Sequence, residues 1–356
     1  MPRTKFLPVK GPDRRDMPKK TRQGLLLAAL WAALMPPSHA AAPPLPAEHA
    51  SAAAAVPERS VSEWLMRMHE ASGKRAYVGT FVVSYGPGSM SSARIWHVCD
   101  GTQQMERVES LTGAPRSTFR HNDQVITFLP ETKVAVAEKR ESLGLFPNLL
   151  EAGDFSIPAF YAAKVVGSDR VAGFDADVVV LKPKDSLRYG YRIWSEKKSG
   201  LVVKLQTLDV DGQVLEQAAF SELQLDAPVK MDKLGQMMAN TAGYKVEKAA
   251  MVKTTALSEG WVLKNGVPGF KPMSCFRRSV GGPTDSTVQW VFLDGLASVS
   301  LFAESYEPQR HIQEGAMAVG ATQSLTRRMG AWWLTAVGEA PQTTLKAFVQ
   351  GLTRAK

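Results

Sequence analysis

The 356-residue sequence contains only two cysteines, Cys99 and Cys275. That scarcity excludes a disulfide-dense mini-scaffold and any multi-cysteine zinc or iron–sulfur cluster. The sequence also lacks the G-x-S-x-G elbow, the H-E-x-x-H helix and the P-loop glycine pattern. Beyond residue 40 the histidines are His49, His69, His97, His121 and His311, scattered singly rather than at ligand spacing. The chemistry-bearing patterns of an enzyme or a metalloprotein are therefore missing, and no catalytic residue, metal or cofactor is expected. No apolar run after residue 40 is long enough to span a bilayer.

Charge is present but unevenly placed. The formal net charge is +9. Residues 1–40 hold eight basic residues against two acidic ones, a net +6, and the remainder holds 35 against 32, a net +3. The basic stretch is followed by an apolar run from Gly24 to Met35, then by Pro36-Pro37 and Ser38-His39-Ala40. A positive segment, a short apolar core and small residues before a cut predict a cleaved signal peptide over 1–40. Residues 41–58, rich in Ala and Pro, read as a disordered leader. An exported chain close to charge balance is a poor candidate for binding nucleic acid.

What remains is patterned for folding. Ser60 and Glu63 form a capping box, and Val61, Trp64, Leu65 and Met68 follow at helical spacing, with Gly73 as the stop. From residue 77 the period becomes two. Strands are expected at 77–85, 93–99, 102–110, 124–129, 133–137, 177–181, 189–195, 201–210 and 213–225. Asp100-Gly101 and Asp211-Gly212 supply hairpin turns. This predicts a large, strongly curved antiparallel half-barrel domain over 59–226. Residues 227–257 read as a partly helical linker. A smaller α+β domain follows over 258–356, with turns at Asn265-Gly266 and Asp294-Gly295, strands at 287–293, 296–305 and 331–337, and a terminal helix carrying Leu345, Phe348, Val349 and Leu352. The fold class is thus α+β.

One segment breaks the alternation. Residues 143–161 concentrate Phe146, Leu149, Leu150, Phe155 and Phe160. They read either as a short helix plugging the open face of the sheet or as a movable apolar lid over a ligand cavity. Trp194 joins them as a cavity candidate. Arg188, Arg192, Arg277 and Arg278 are solvated faces or contacts to an anionic partner. Cys99 and Cys275 lie in different domains and either pair or remain buried free thiols.

Several runs carry a family resemblance. They include Trp64 to His69, Tyr77 to Val83, Glu106 to Arg116, Phe155 to Tyr161, Val171 to Gly173 and Asp185 to Trp194. The hairpin from Leu201 to Leu215, Gly260 to Leu263, Gly269-Phe270, the hairpin from Gln289 to Ser305, Gly320 to Thr322 and the terminal helix extend it. Together they resemble the periplasmic RseB and MucB regulators over nearly the whole exported chain. The resemblance implies a large domain similar to the lipoprotein-carrier fold, with an apolar cavity. It implies a negative regulator of envelope stress that binds the periplasmic segment of a transmembrane anti-sigma factor and shields it from site-1 proteolysis. Lipopolysaccharide or an acyl lipid would release it, and self-association is left open. A lipid or lipoprotein carrier using the same cavity is the alternative, and an enzyme acting on envelope polymers is a distant third.

Overall fold

The computed structural model describes residues 59–86, 88–139, 146, 157–248, 251–279 and 286–355. The expected signal peptide, the leader up to residue 58, and Leu149, Leu150 and Phe155 lie outside the described residues.

The capping box forms as the sequence predicts. The Glu63 amide donates to Ser60 Oγ (3.2 Å), and the Ser60 amide donates to the Glu63 carboxylate (2.6 Å). Helix α1 (Val61–Lys74) buries Trp64, Leu65, Met68 and Ala71. It runs through Gly73 rather than stopping there, and Arg75 is the first extended residue. Then come β1 (Tyr77–Tyr85), β2 (Ser89–Cys99), β3 (Gln104–Ser110), β4 (Ser117–His121), β5 (Gln124–Leu129) and β6 (Val134–Lys139). A single turn, α2 (Ile157–Phe160), leads into β7 (Tyr161–Val171), β8 (Phe174–Pro183), β9 (Gly190–Glu196), β10 (Val202–Leu208) and β11 (Val214–Leu225). Helix α3 (Met231–Ala239) and β12 (Lys245–Lys248) complete this half.

These strands make one twelve-stranded sheet in the order β12-β6-β5-β4-β3-β2-β1-β11-β10-β9-β8-β7. Every pairing is antiparallel except β12 on β6. The closing contact between β1 and β11, Tyr77 opposite Leu225, joins two meanders into one surface. Residues 227–257 are not a plain connector. Helix α3 buries Leu234 and Met238 against Val98, Met105, Phe119, Phe128 and Ala135, and β12 covers the β6 edge.

The second sheet holds β13 (Met251–Lys253), β15 (Lys271–Ser279), β16 (Ser286–Leu293), β17 (Ser298–Ser305), β18 (Gly315–Val319), β19 (Thr322–Met329) and β20 (Trp332–Gly338). Its order is β13-β15-β16-β17-β20-β19-β18. The chain thus passes from one sheet to the other between Lys248 and Met251. Helix α4 (Gln342–Gly351) lays Leu345, Phe348 and Val349 on a core with Trp261, Phe270, Phe292, Val299 and Leu334.

One expected hairpin is absent. Asn265-Gly266 does not join partners, because the short β14 (Trp261–Leu263) pairs with the terminal β21 (Leu352–Arg354) while β15 pairs with β13 and β16. Strands β4, β7, β12, β13, β14, β15, β18, β19 and β21 match no strand range expected from the sequence. β7 is an edge strand whose residues are mostly exposed, so the alternation that marks a half-buried strand is weak there.

Candidate functional site

The first sheet curls. On a flat sheet β4 and β9 would stand about 29 Å apart, at about 4.8 Å per strand step. Yet Thr118 of β4 and Ile193 of β9 line one cavity of about 390 Å³. Its apolar wall is Phe81, Val108, Phe146, Ile193 and Leu205, with Leu296 from the second sheet's β16–β17 turn. Phe146 anchors the wall, its ring 5.6 Å from Phe81 and 5.1 Å from Phe220.

The charged part of the lining is mostly acidic. Among the described lining residues, Glu106, Glu216 and Glu339 stand against Arg116 alone among cations. Glu216 sits on β11, opposite Tyr85 of β1. Glu339 directly follows β20, so the two carboxyls come from the two sheets. The Ala321 amide donates to Glu216 Oε2 (3.4 Å) across this junction. Burial, helped by the Glu216 charge, pushes the Glu339 carboxyl up to about 7. Burial also raises Glu216, against the pull of the Ala321 amide. Tyr191 lines the same cavity, is 5% exposed, and its hydroxyl has no hydrogen-bond partner among the described residues.

A buried clamp holds the turn that carries Leu296. Arg188 and Asp294 are both 0% exposed and pair at 3.1 Å. Asp294 Oδ1 also accepts the Leu296 and Ala297 amides, closing its own turn. Arg188 donates to Asp185 Oδ1 (3.0 Å) and to the Pro268 carbonyl (2.6 Å), and stacks on Phe160 at 4.3 Å. Gly269, at φ +84°, lets the backbone approach this guanidinium; a Cβ there would stand 2.8 Å from Arg188. Beside it, Thr344 Oγ1 donates to the Leu187 carbonyl (2.5 Å). The β8–β9 loop of the first sheet is thus keyed into the second.

Comparison with known proteins matches this arrangement over both halves. The MucB/RseB N-terminal domain matches residues 60–238, and the MucB/RseB C-terminal domain matches residues 255–353. The chain belongs to the MucB/RseB family. The Pseudomonas aeruginosa sigma factor AlgU regulatory protein MucB is 29% identical over 289 residues, 80% of this chain and 87% of its own length. The Haemophilus influenzae sigma-E factor regulatory protein RseB is 23% identical, over 84% of this chain and 93% of its own. A chain of the solved Pseudomonas aeruginosa MucA/MucB complex superposes with TM-score 0.64 at 26% identity, covering 83% of this chain and 99% of that one. A crystal structure of MucB gives TM-score 0.59 at 25% identity, covering 82% and 97%. These relatives are sigma-factor regulatory proteins, not enzymes.

Within this MucB/RseB chain the predicted site residues separate. Phe146 lines the cavity, whereas Phe160 belongs to the clamp. Trp194 is a correction. It is absent from the cavity lining, lies buried on the β9 face opposite Ile193, donates its indole N–H to Asp169 Oδ2 (3.0 Å) and lies under Lys204. The inner face is that of Tyr191 and Ile193, one residue away on a period-two strand. Arg188 is a second correction, because a fully buried guanidinium already paired cannot meet an external anion. Arg192 donates to Gln206, Arg277 is held by Glu259, and Arg278 lies against Met251. Cys99 and Cys275 are free thiols, one ending β2 and the other inside β15 of the second sheet. His97 is structural, buried with Nδ1 2.9 Å from the Arg75 carbonyl and stacked on Tyr77.

The acidic lining was missed. A signal for Glu216 existed: with Ala218 and Phe220 it sets the inward alternation of β11, so a charge there breaks the pattern. Nothing local marked Glu339.

Proposed function

We propose that this chain is a periplasmic negative regulator of the envelope stress response. It binds the periplasmic segment of a transmembrane anti-sigma factor and shields that segment from the site-1 protease. Lipopolysaccharide or an acyl lipid entering the cavity releases it. The observation that carries this reading is the family match on both halves of the chain, taken with a relative solved in complex with the periplasmic part of MucA. The signal-peptide pattern over residues 1–40 supports a periplasmic address, and no described helix is long and apolar enough to cross a membrane. The cavity supports the lipid step, because Leu296 brings the second sheet to its wall and a ligand there would bear on the junction.

The test is proteolysis of the purified anti-sigma periplasmic segment with and without the mature protein. Cleavage is expected to slow several-fold at saturation and to recover when lipopolysaccharide is added. Full-speed cleavage at saturation would overturn the reading.

A carrier of lipid or lipoprotein is the second reading, favoured by the apolar cavity alone. It requires lipid to move between vesicles with no anti-sigma segment present. The regulator reading expects no such transfer.

A further inference from the structure

The face of the first sheet turned away from the cavity carries a second hollow. On β2, Ser91 and Ala93 line the cavity, while Arg94 and Trp96 line a groove of about 610 Å³ on the opposite face. Helix α3 forms the other wall through Lys233, Leu234 and Met237. The less exposed part of the lining is apolar: Val78, Trp96, Val229, Leu234 and Met237. The charged part is cationic throughout. Arg94, Arg107, Lys230 and Lys233 line the groove, with no carboxylate among the described lining residues.

These cations are held ready rather than used up. Arg94 and Arg107 lie over the Trp96 ring, at 5.4 and 4.7 Å from its centroid. Arg107 is fixed by Ser117 and by Glu109, which stands outside the lining. Arg94, Lys230 and Lys233 are exposed and form no ion pair among the described residues. Lys230 is the N-cap of α3 and Lys233 lies in its first turn, where the helix dipole disfavours positive charge. Asp232 between them offsets part of that cost, and an anion in the groove would offset more.

We propose that this groove binds a small phosphate-ended amphiphile. Its alkyl chain lies on the apolar floor, and its phosphate sits among Arg94, Arg107, Lys230 and Lys233. The volume falls within the range of small-molecule sites, about 300–1,000 Å³. A phosphate monoester carries about −1.5 to −2 charge near neutral pH, and guanidinium groups meet it with paired hydrogen bonds. An extended peptide fits less well. Strands β1, β2 and β3 are each paired on both sides, so the groove offers no strand edge. A peptide backbone would lie unpaired against apolar side chains, a cost that an alkyl chain does not carry. The groove and the cavity open on opposite faces of one sheet, so the proposal goes beyond the regulator reading and does not depend on it.

The test is calorimetric titration of the mature protein with decyl phosphate, decanol and inorganic phosphate, each below its aggregation range. Decyl phosphate should bind at least about tenfold more tightly than either of the others, and high salt should narrow its margin over decanol several-fold. Lys230→Gln with Lys233→Gln changes two exposed side chains, and no side-chain bond caps α3. This pair should remove most of the margin, and Arg94→Gln on the strand wall should act in the same direction. A margin unchanged in both variants would place the phosphate elsewhere and overturn the proposal. Inorganic phosphate binding as tightly as decyl phosphate would reduce the groove to a simple anion site. An acidic peptide of alternating glutamate and leucine that displaces decyl phosphate at equal concentration would assign the groove to a protein partner instead. Shielding of the anti-sigma segment is a separate assay, so the loss of either reading leaves the other standing.

Discussion

At the scale of single residues, the carboxyls of the cavity floor carry the sharpest expectations. The Glu339 carboxyl has an ordinary value of 4.5 and sits at about 7 in the folded chain. A raised carboxyl contributes stability that is complete below the unfolded value and is lost as pH rises through the folded one. Thermal stability should therefore fall between about pH 4.5 and pH 7 and level off above. Glu339→Gln should flatten that slope and raise stability at pH 8, by up to about 3 kcal/mol for a shift of this size. Melting curves across pH 5–8 decide it; an equal slope in the variant would refute the assignment. Glu216 was readable in principle, because a glutamate occupies an inward position of an otherwise apolar face. Glu339 was not, because the Glu216 charge that acts on it comes from more than a hundred residues away in the chain.

At the scale of elements, local rules explain most of what formed. The α1 capping box was visible as Ser60-x-x-Glu63 and is present with both hydrogen bonds. Ser60→Ala should cost about 1 kcal/mol in urea unfolding. The β7–β8 hairpin turns at Ala172-Gly173, both at positive φ, and Ala172 at φ +49° is in a conformation that favours glycine. Ala172→Gly should leave stability unchanged or raise it by up to about 1 kcal/mol, provided the turn keeps its shape. A loss above about 0.5 kcal/mol would mean the alanine methyl packs usefully against its surroundings. Elements went unread where periodicity was weak. β18 is exposed at all five residues and pairs on one side only. β12 is a parallel edge strand of four exposed residues. Such strands are held by partners rather than by their own pattern.

At the scale of the whole molecule, the Arg188–Asp294 pair joins the sheets. Arg188→Met leaves the Asp294 carboxylate buried without its countercharge and should cost about 3–5 kcal/mol. Adding Asp294→Asn should recover only part of this, because Asp294 also closes the β16–β17 turn through two amides. Limited tryptic proteolysis after Lys248, the last residue of β12, reports on the junction. The single variant should be cut faster there than the wild type, and equal rates would mean the sheets stay joined without the pair.

The sequence by itself determined the signal-peptide pattern, the α+β class, the long antiparallel meander, the hairpin turns at Asp100-Gly101, Asp211-Gly212 and Asp294-Gly295, and the amphipathic faces of α1 and α4. Each depends on residues within a few positions of one another, which is the range over which capping, turn chemistry and periodicity act. It also carried the family, through runs spread along the chain. Only the tertiary structure decided which face of β9 is concave, and hence that Ile193 rather than Trp194 lines the cavity. Only it turned Arg188 from a surface candidate into a buried clamp, and brought Glu216 beside Glu339. The reason is that curvature and burial are properties of the closed sheet. They depend on strands distant in sequence coming to face one another, and no local pattern records which side of a strand that closure will enclose.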